Sequence, residues 1–428
     1  MSTKEIMQYI ISKLLEKGAD KVAVSSSISN LEELQFDCNE IDLLRGYDEN
    51  NLVIKVIKDN KAASISLNQM NEDVIETALD QVLADAENSQ PDEAYDISPK
   101  QDAGSFSMGP LEPDRDRMYF LIDEFLTERK QNYPALNAEG NIMHYRSRER
   151  YFNSNGVDFE EIQGGYIYSL MFSSRIGKKV SSFNHSYGLY LDLDRSFLDV
   201  GMTKDLIEQS VASLECQSIP ETFEGDVILV PGLVREFFGS LIGHQLSDHA
   251  IISGNSILKG KKGEKVLHES INLCSDPLAK DLAESYFVTS EGFRSEKVEI
   301  FKAGVLQNYM LSYFGSRKTG LPMSKAGGCL IMQPGEDKLK DMIKNVKKGL
   351  IVVRFSGGNP SINGDFSGVA KNSYYIEDGE IKYPVNETMI SGNLLQLFNN
   401  VNGISDEIIN NGDCKMPWLS CSAVTISK

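Results

Sequence analysis

The stretch NLVIKVIKDNKAASISL, residues 51 to 67, carries a clear fold signal, because two runs rich in alternating apolar residues flank one short polar joint. Asp59 and Asn60 form the joint, and both residue types tolerate the left-handed backbone that a two-residue hairpin turn requires. The alternation predicts two antiparallel strands with an apolar face. We therefore expect a hairpin in an antiparallel sheet.

Helices on either side of this hairpin are predicted to cover the sheet. The first begins with a capping box formed by Ser2 and Glu5 and carries apolar residues at helical spacing from Ile6 to Leu14. A second helix is predicted around residues 72 to 88. Two further strands are expected in KVAVSSSI and LEELQFD, just before the hairpin. Helices and antiparallel strands in this order indicate an α+β fold.

The length of 428 residues favours two domains. An acidic segment with four prolines, residues 85 to 116, is predicted to be a linker or extended surface segment within an N-terminal domain that spans residues 1–218. The C-terminal domain, residues 219–428, is richer in strands. Its sequence SYYIEDGEIKYPV predicts a second hairpin, which turns at Asp378 and Gly379.

The charge of the chain limits its partners. A net charge of −19 would repel both nucleic acid and an anionic membrane surface, so neither is expected as a direct partner. No apolar run approaches the roughly 20 residues that a membrane-spanning helix needs. The first residues spread charges through their apolar positions and contain no signal-peptide core, which predicts a cytoplasmic protein.

Two of the five histidines lie close together in GSLIGHQLSDHA, residues 239 to 250. At about 100° per residue, His244 would lie near Leu233 on the apolar face of a helix, and His249 would point about 140° away from His244. A regular helix cannot aim both rings at one ion. The geometry favours a satisfied core histidine and a surface histidine over a metal site, and the chain contains no H-E-x-x-H motif.

A glycine-rich loop follows the predicted strand GLIVV in the second domain. The sequence SGGNPSINGDF contains Gly357, Gly358, Gly364, Asp365 and Phe366, which are candidates for a peptide groove. Its glycines either permit turns and close approach of the backbone or leave strand edges open to an extended peptide. Both interpretations remain open from the sequence.

The order of segments resembles the TldD/PmbA family of peptidases, also called modulators of DNA gyrase, over nearly the full chain. The resemblance is strongest in GNSILKGKKGEKV (254 to 266), in residues 290 to 321 and in residues 349 to 397. TldD-like members carry H-E-x-x-x-H and a later cysteine as metal ligands, whereas PmbA-like (TldE-like) members lack that motif. The resemblance implies a PmbA-like member.

When the chain is aligned with the TldD pattern, two residues of the H-E-x-x-x-H motif are replaced. His244 takes the place of the second histidine, Gly239 that of the first histidine, and Ser240 that of the catalytic glutamate. Cys414 corresponds to the cysteine ligand. His244 and Cys414 alone would leave a zinc ion one short of the usual three protein ligands of a catalytic site. No glutamate remains at position 240 to activate water.

The resemblance implies a non-catalytic subunit of a heteromeric metallopeptidase that processes or degrades unfolded peptides. No cofactor is expected in this chain, and a TldD-like partner would hold zinc or iron. The partner could also be a second copy of the chain. One alternative is a divergent metallopeptidase that uses His244, Cys414 and a third ligand. The other is a homo-oligomeric peptide-binding or assembly protein without catalysis.

Overall fold

The structure is a computed structural model that describes residues 2–37, 40–386 and 388–428. The hairpin forms as predicted: β2 (Glu40–Lys58) pairs antiparallel with β3 (Lys61–Leu67), and Lys58 lies opposite Lys61. Asp59 and Asn60 have φ values of 54° and 59°. Two consecutive positive φ angles are typical of a type I′ turn, whose twist matches that of the flanking strands.

The N-terminal half places helices on a long antiparallel sheet. The sheet has the order β3-β2-β1-β5-β6-β4, and β7 and β8 also pair with β6. Its remaining elements are α1 (Thr3–Glu16), β1 (Lys21–Asp37), α2 (Glu72–Asn88), β4 (Gly104–Met108), α3 (Arg115–Asn132), β5 (Leu136–Asn153), β6 (Asp158–Ile176), β7 (Lys179–Val180), β8 (Asn184–Tyr190) and α4 (Thr203–Ala212).

The two strands predicted before the hairpin are one continuous strand, β1. Its central residue Ser27 lies opposite Asn51 of β2 on one side and opposite Glu149 of β5 on the other. Hydrogen bonding to a strand on each side keeps the polar middle of β1 in the sheet. The sequence pattern missed this part of the strand because it lacks alternating apolar residues. The capping box is confirmed, because the Ser2 side chain accepts from the Glu5 N–H and Glu5 accepts from the Ser2 N–H.

The C-terminal half is richer in strands, as predicted, and the fold class is α+β. Its sheet runs β12-β11-β10-β13-β21-β9-β14-β17-β18, with β15, β16, β19 and β20 attached. Its elements are β9 (Phe223–Leu229), α5 (Pro231–Gln245), α6 (Asp248–Ser253), β10 (Leu273–Ser275), β11 (Val298–Lys302), β12 (Val305–Leu306), α7 (Tyr313–Thr319), β13 (Leu330–Met332), α8 (Leu339–Asn345), β14 (Lys348–Val352), β15 (Arg354–Ser356), β16 (Asp365–Lys371), β17 (Tyr374–Glu377), β18 (Glu380–Pro384), β19 (Thr388–Asn393), α9 (Leu394–Asn399), β20 (Val401–Asn410) and β21 (Cys414–Ser427).

Helix α5 packs on the centre of this sheet. Strand β21 pairs with β9, β13, β19 and β20, and α5 contacts it directly. The Phe237 ring is fully buried, with its centroid 5.5 Å from that of Phe355 and 5.2 Å from that of Phe366. On the other side, Phe238 stacks on Phe398 at 4.1 Å. These aromatic contacts fix the helix that carries the candidate site.

Glu161 joins the two halves of the chain. Its carboxylate accepts hydrogen bonds from the N–H groups of Phe287, at 3.1 Å, and Val288, at 3.2 Å, both in the C-terminal half. Burial raises the pKa of Glu161 to about 7; the Phe287 N–H opposes this rise, and Glu149, directly opposite on β5, adds to it. This link borders a cavity of about 560 Å³ that residues of both halves line. Within the described residues, no helix combines the length and apolar character needed to span a bilayer.

Replacing Phe237 with Ala should lower the free energy of unfolding by about 3–5 kcal/mol, because a fully buried ring is removed from its contacts with two other aromatic rings. Urea denaturation measures the change. Phe120, which is 51% exposed, provides the matched control, and Phe120→Ala should cost less than about 1 kcal/mol. Equal losses in both variants would contradict the described packing of α5.

The variant Glu161→Gln should gain stability over the wild-type protein as the pH rises from 5 to 8. The folded state holds a proton on Glu161 up to about pH 7, whereas the unfolded chain loses it near pH 4.3, so ionisation costs stability across that interval. We expect a relative gain of about 1–3 kcal/mol between the two pH values, from urea unfolding. Glu160→Gln is the control, since its carboxylate pairs with Arg150; an equal gain there would contradict the assignment.

Candidate functional site

The two histidines of GSLIGHQLSDHA lie on different helices. Helix α5 ends at Gln245, and Ser247 caps the separate helix α6 by accepting a hydrogen bond from the Ala250 N–H. His249 is exposed, as expected of a surface histidine, whereas His244 is half-buried in the last turn of α5. The end of α5 and the start of α6 between them therefore place the two histidines on separate helices.

His244 is not the satisfied core histidine that the helical spacing favours. Its Nδ1 atom is buried and has no hydrogen-bond partner. The last core position of α5 is taken by Gln245, whose side-chain amide donates to the Ile362 carbonyl at 2.5 Å and accepts from the Ile257 N–H at 2.9 Å. His244 is thereby placed at the edge of the buried face.

Positions 239 and 240, which the resemblance aligns with the first histidine ligand and the catalytic glutamate, lie on the outer side of α5. Gly239 is exposed, and a Cβ atom built on it would meet nothing within 4 Å. Ser240 is half-buried beside it. The structure thus has room for a larger side chain at position 239. The absence of a ligand there is a property of the sequence and not a consequence of crowding.

Cys414 lies at the first turns of α5, at the start of β21. Its thiol is 2% exposed, and burial followed by the charge of Asp413 raises its pKa, while Arg235 opposes the rise. The Arg235 guanidinium lies 2.8 Å from the Asp413 carboxylate. A raised pKa keeps the thiol protonated, whereas metal ligation requires the thiolate.

The structure does not bring His244 and Cys414 together with a third ligand. Arg235, the neighbour of Cys414, precedes His244 by nine positions on α5, which is about 13 Å along the helix axis. Among residues 2–37, 40–386 and 388–428, no group of three His, Cys, Asp or Glu residues is placed to hold a metal ion. The residues present in this chain do not fit the metal of the TldD pattern.

The glycine-rich loop connects β15 to β16. Gly357 and Gly364 have φ values of 99° and 85°, and a Cβ atom on Gly358 would lie 2.1 Å from the Ser367 carbonyl oxygen. Phe366 is buried, and its ring belongs to the aromatic cluster around Phe237. Asp365 is exposed and accepts a hydrogen bond from Asn393. Turns and close backbone approach account for the three glycines.

A cavity of about 420 Å³, here called the α5 cavity, opens where the first turns of α5 meet β8 and α4 of the N-terminal half. Its apolar wall includes Met202, Leu206 and Leu233, and its polar lining includes Asn184, Arg235, Arg354 and Asp413. Sequence reasoning missed these polar residues, because they come from four distant segments and share no motif.

Comparison with known proteins finds relatives that are named metalloproteases. The family described as PmbA/TldA metallopeptidase C-terminal domain matches residues 222–428. The Haemophilus influenzae protein named Metalloprotease PmbA homolog is 24% identical over 95% of this chain and 91% of its own length. Metalloprotease PmbA of Escherichia coli O157:H7 is 31% identical over 44% of this chain and 42% of its own length.

Residues 222–428 of the chain match the TldD/PmbA family. Solved structures of similar fold cover nearly the whole chain. The crystal structure of TldE from Thermococcus kodakarensis superposes with a TM-score of 0.85 at 20% identity, covering 99% of this chain and 100% of that chain. A Bacteroides thetaiotaomicron protein described as a modulator of DNA gyrase gives 0.86 at 22% identity, covering 99% and 98%. At these identities the likeness establishes the fold.

The protein purified without affinity-tag metals should hold well below one metal ion per chain, and added zinc should not remain after desalting. His244→Ala and Cys414→Ala should leave this value unchanged, because neither residue has two further ligands within reach. Mass spectrometry of metal content provides the measurement. A content near one per chain that falls in either variant would contradict the described arrangement.

Proposed function

We propose that this chain is the metal-free, PmbA/TldE-like subunit of a cytoplasmic metallopeptidase that processes or degrades unfolded peptides. A TldD-like partner chain would hold the zinc or iron ion and the base that activates water. This chain would form a wall of the peptide-binding space. Its relatives carry metalloprotease names, and the name of the Saccharolobus solfataricus relative is Zinc metalloprotease TldD homolog, which supports the metal assignment for a partner.

One observation carries the proposal: a fixed cation lies beside the cysteine that corresponds to a metal ligand. Arg235 stands one helical turn before Gly239, the position of the lost first histidine, and its guanidinium contacts Asp413 next to Cys414. Its positive charge would repel a divalent cation at short range. The same charge compensates the negative charge of the buried Asp413 carboxylate, so this carboxylate needs no metal ion to balance its charge.

A second candidate has one observation in its favour. The buried Nδ1 atom of His244 has no hydrogen-bond partner, and such atoms are uncommon unless a ligand or ion satisfies them. A divergent metallopeptidase could use this atom. It would need two further ligands near the last turn of α5, and the described residues provide no such group. The metal-free subunit is therefore the better supported function.

Mixing this chain with a TldD-like chain from the same genome should produce hydrolysis of an unstructured fluorogenic peptide that this chain alone does not produce. Replacing a histidine of the partner's H-E-x-x-x-H motif should abolish cleavage. His244→Ala in this chain should leave cleavage within about twofold, because His244 holds no metal in the proposed complex.

Two outcomes would count against the proposal. Cleavage by this chain alone that disappears in His244→Ala would establish the divergent metallopeptidase. Stable binding of the peptide without cleavage in the mixture, while the partner remains loaded with metal, would favour a non-catalytic binding protein. Size-exclusion chromatography with light scattering on the same samples separates a heteromer from a homo-oligomer.

A further inference from the structure

The α5 cavity has a positive end that no protein group occupies. Val230 at the N-cap of α5 offers no side-chain cap, and Pro231 has no N–H. The Gly232 N–H makes no hydrogen bond within the described part of the chain, and the space above its Cα is open. A helix N-terminus left open in this way attracts an anionic group.

Two side chains add hydrogen-bond donors to this end. The Asn184 side-chain nitrogen is buried without a partner in a residue that is only 3% exposed, and its amide oxygen is used by the His185 N–H. Arg354 forms no ion pair with any described residue; it donates to the Phe183 carbonyl at 3.1 Å and lies over the Phe183 ring. The buried, unpartnered nitrogen of Asn184 indicates a missing acceptor, and the half-buried guanidinium of Arg354 supplies a positive charge beside it.

The opposite side of the cavity offers acceptors. One oxygen of Asp413 pairs with Arg235, and the other has no partner in a residue that is 7% exposed. The Asn411 side-chain oxygen is likewise buried without a partner. A ligand that only carried negative charge would leave these oxygens unsatisfied. A suitable ligand also presents N–H donors.

The charged side chains that line the cavity are two arginines and two acidic residues. Arg235 and Arg354 face Asp413 and Glu236. Burial lowers the pKa of His185, and Arg354 lowers it further, which keeps the ring neutral at pH 7. Burial also raises the pKa of Glu236, against the effect of the two arginines. The cavity therefore suits a ligand with one carboxylate, adjacent N–H groups and an apolar side chain against Met202, Leu206 and Leu233.

We propose that the α5 cavity binds the carboxyl-terminal residues of a peptide. The terminal carboxylate lies against the Gly232 N–H, Asn184 and Arg354, and the last peptide N–H groups donate to Asp413 and Asn411. The choice of a peptide rests on the proposed function, and the placement of a carboxylate rests on the unpartnered N–H groups of Gly232 and Asn184 and on the charge of Arg354. The cavity would give the complex a subsite for free chain ends.

The test is a ligand-observed NMR titration of this chain alone with N-acetyl-alanyl-leucine and with its carboxamide. The free acid should bind roughly tenfold or more tightly than the carboxamide, because the charged hydrogen bonds form only with the carboxylate. Sodium acetate should bind more weakly than the dipeptide acid. Equal affinity for acid and carboxamide, or for acetate and the dipeptide acid, would overturn the proposal.

Two variants locate the site. Arg354→Gln and Asn184→Asp should each reduce the affinity for the free acid to that for the carboxamide; Asn184→Asp replaces the free donor by a carboxylate without changing its shape. Arg117→Gln is the matched control, because Arg117 also lies over a phenylalanine ring and donates to a carbonyl, far from the cavity. Acid affinity unchanged in both site variants would overturn the assignment.

Thermal unfolding of each variant distinguishes loss of the site from loss of the fold. Because these titrations use no partner chain, they can succeed when the mixing experiment yields no cleavage, and they can fail when it does. Failure of the carboxylate subsite and failure of the proposed function are therefore separate results.

Discussion

The ion pair between Arg235 and Asp413 is the interaction on which the character of the candidate site depends. Asp413 is 7% exposed, and a buried carboxylate is costly unless a charged partner lies close by. Arg235 supplies that partner from the first turns of α5 and so ties the helix to the start of β21. Because the pair adjoins Cys414, the cysteine that the resemblance aligns with a metal ligand lies in the field of a cation.

The two halves of the chain contribute unequally to this region. The C-terminal half supplies α5 and the end of β20, while β8 and α4 of the N-terminal half close the α5 cavity from the other side. Glu161 holds the halves together through the backbone of residues 287 and 288. A site built from both halves depends on their docking, which explains why its polar atoms are distributed over separate segments.

Local patterns predicted from sequence were confirmed where a few neighbouring residues determine the structure. The Asp59-Asn60 turn and the capping box of Ser2 and Glu5 are of this kind. Features that depend on contacts between residues far apart in the sequence were not predicted. The unbroken strand β1 depends on β5, more than a hundred residues later, and the end of α5 depends on contacts of Gln245 with Ile257 and Ile362. The family resemblance assigns altered residues to positions 239 and 240, and this assignment stays a prediction; no sequence pattern links Arg235 to Asp413.

Arg235 places a cation of the protein beside Cys414, and we propose that it takes the place of a metal ion there. The most direct measurement is an anomalous difference map at the zinc absorption edge, from crystals of this chain with a TldD-like partner in the presence of zinc. We expect one peak at the partner's H-E-x-x-x-H site and Arg235 in contact with Asp413. A zinc peak bonded to Cys414 or His244, with Arg235 displaced, would contradict it.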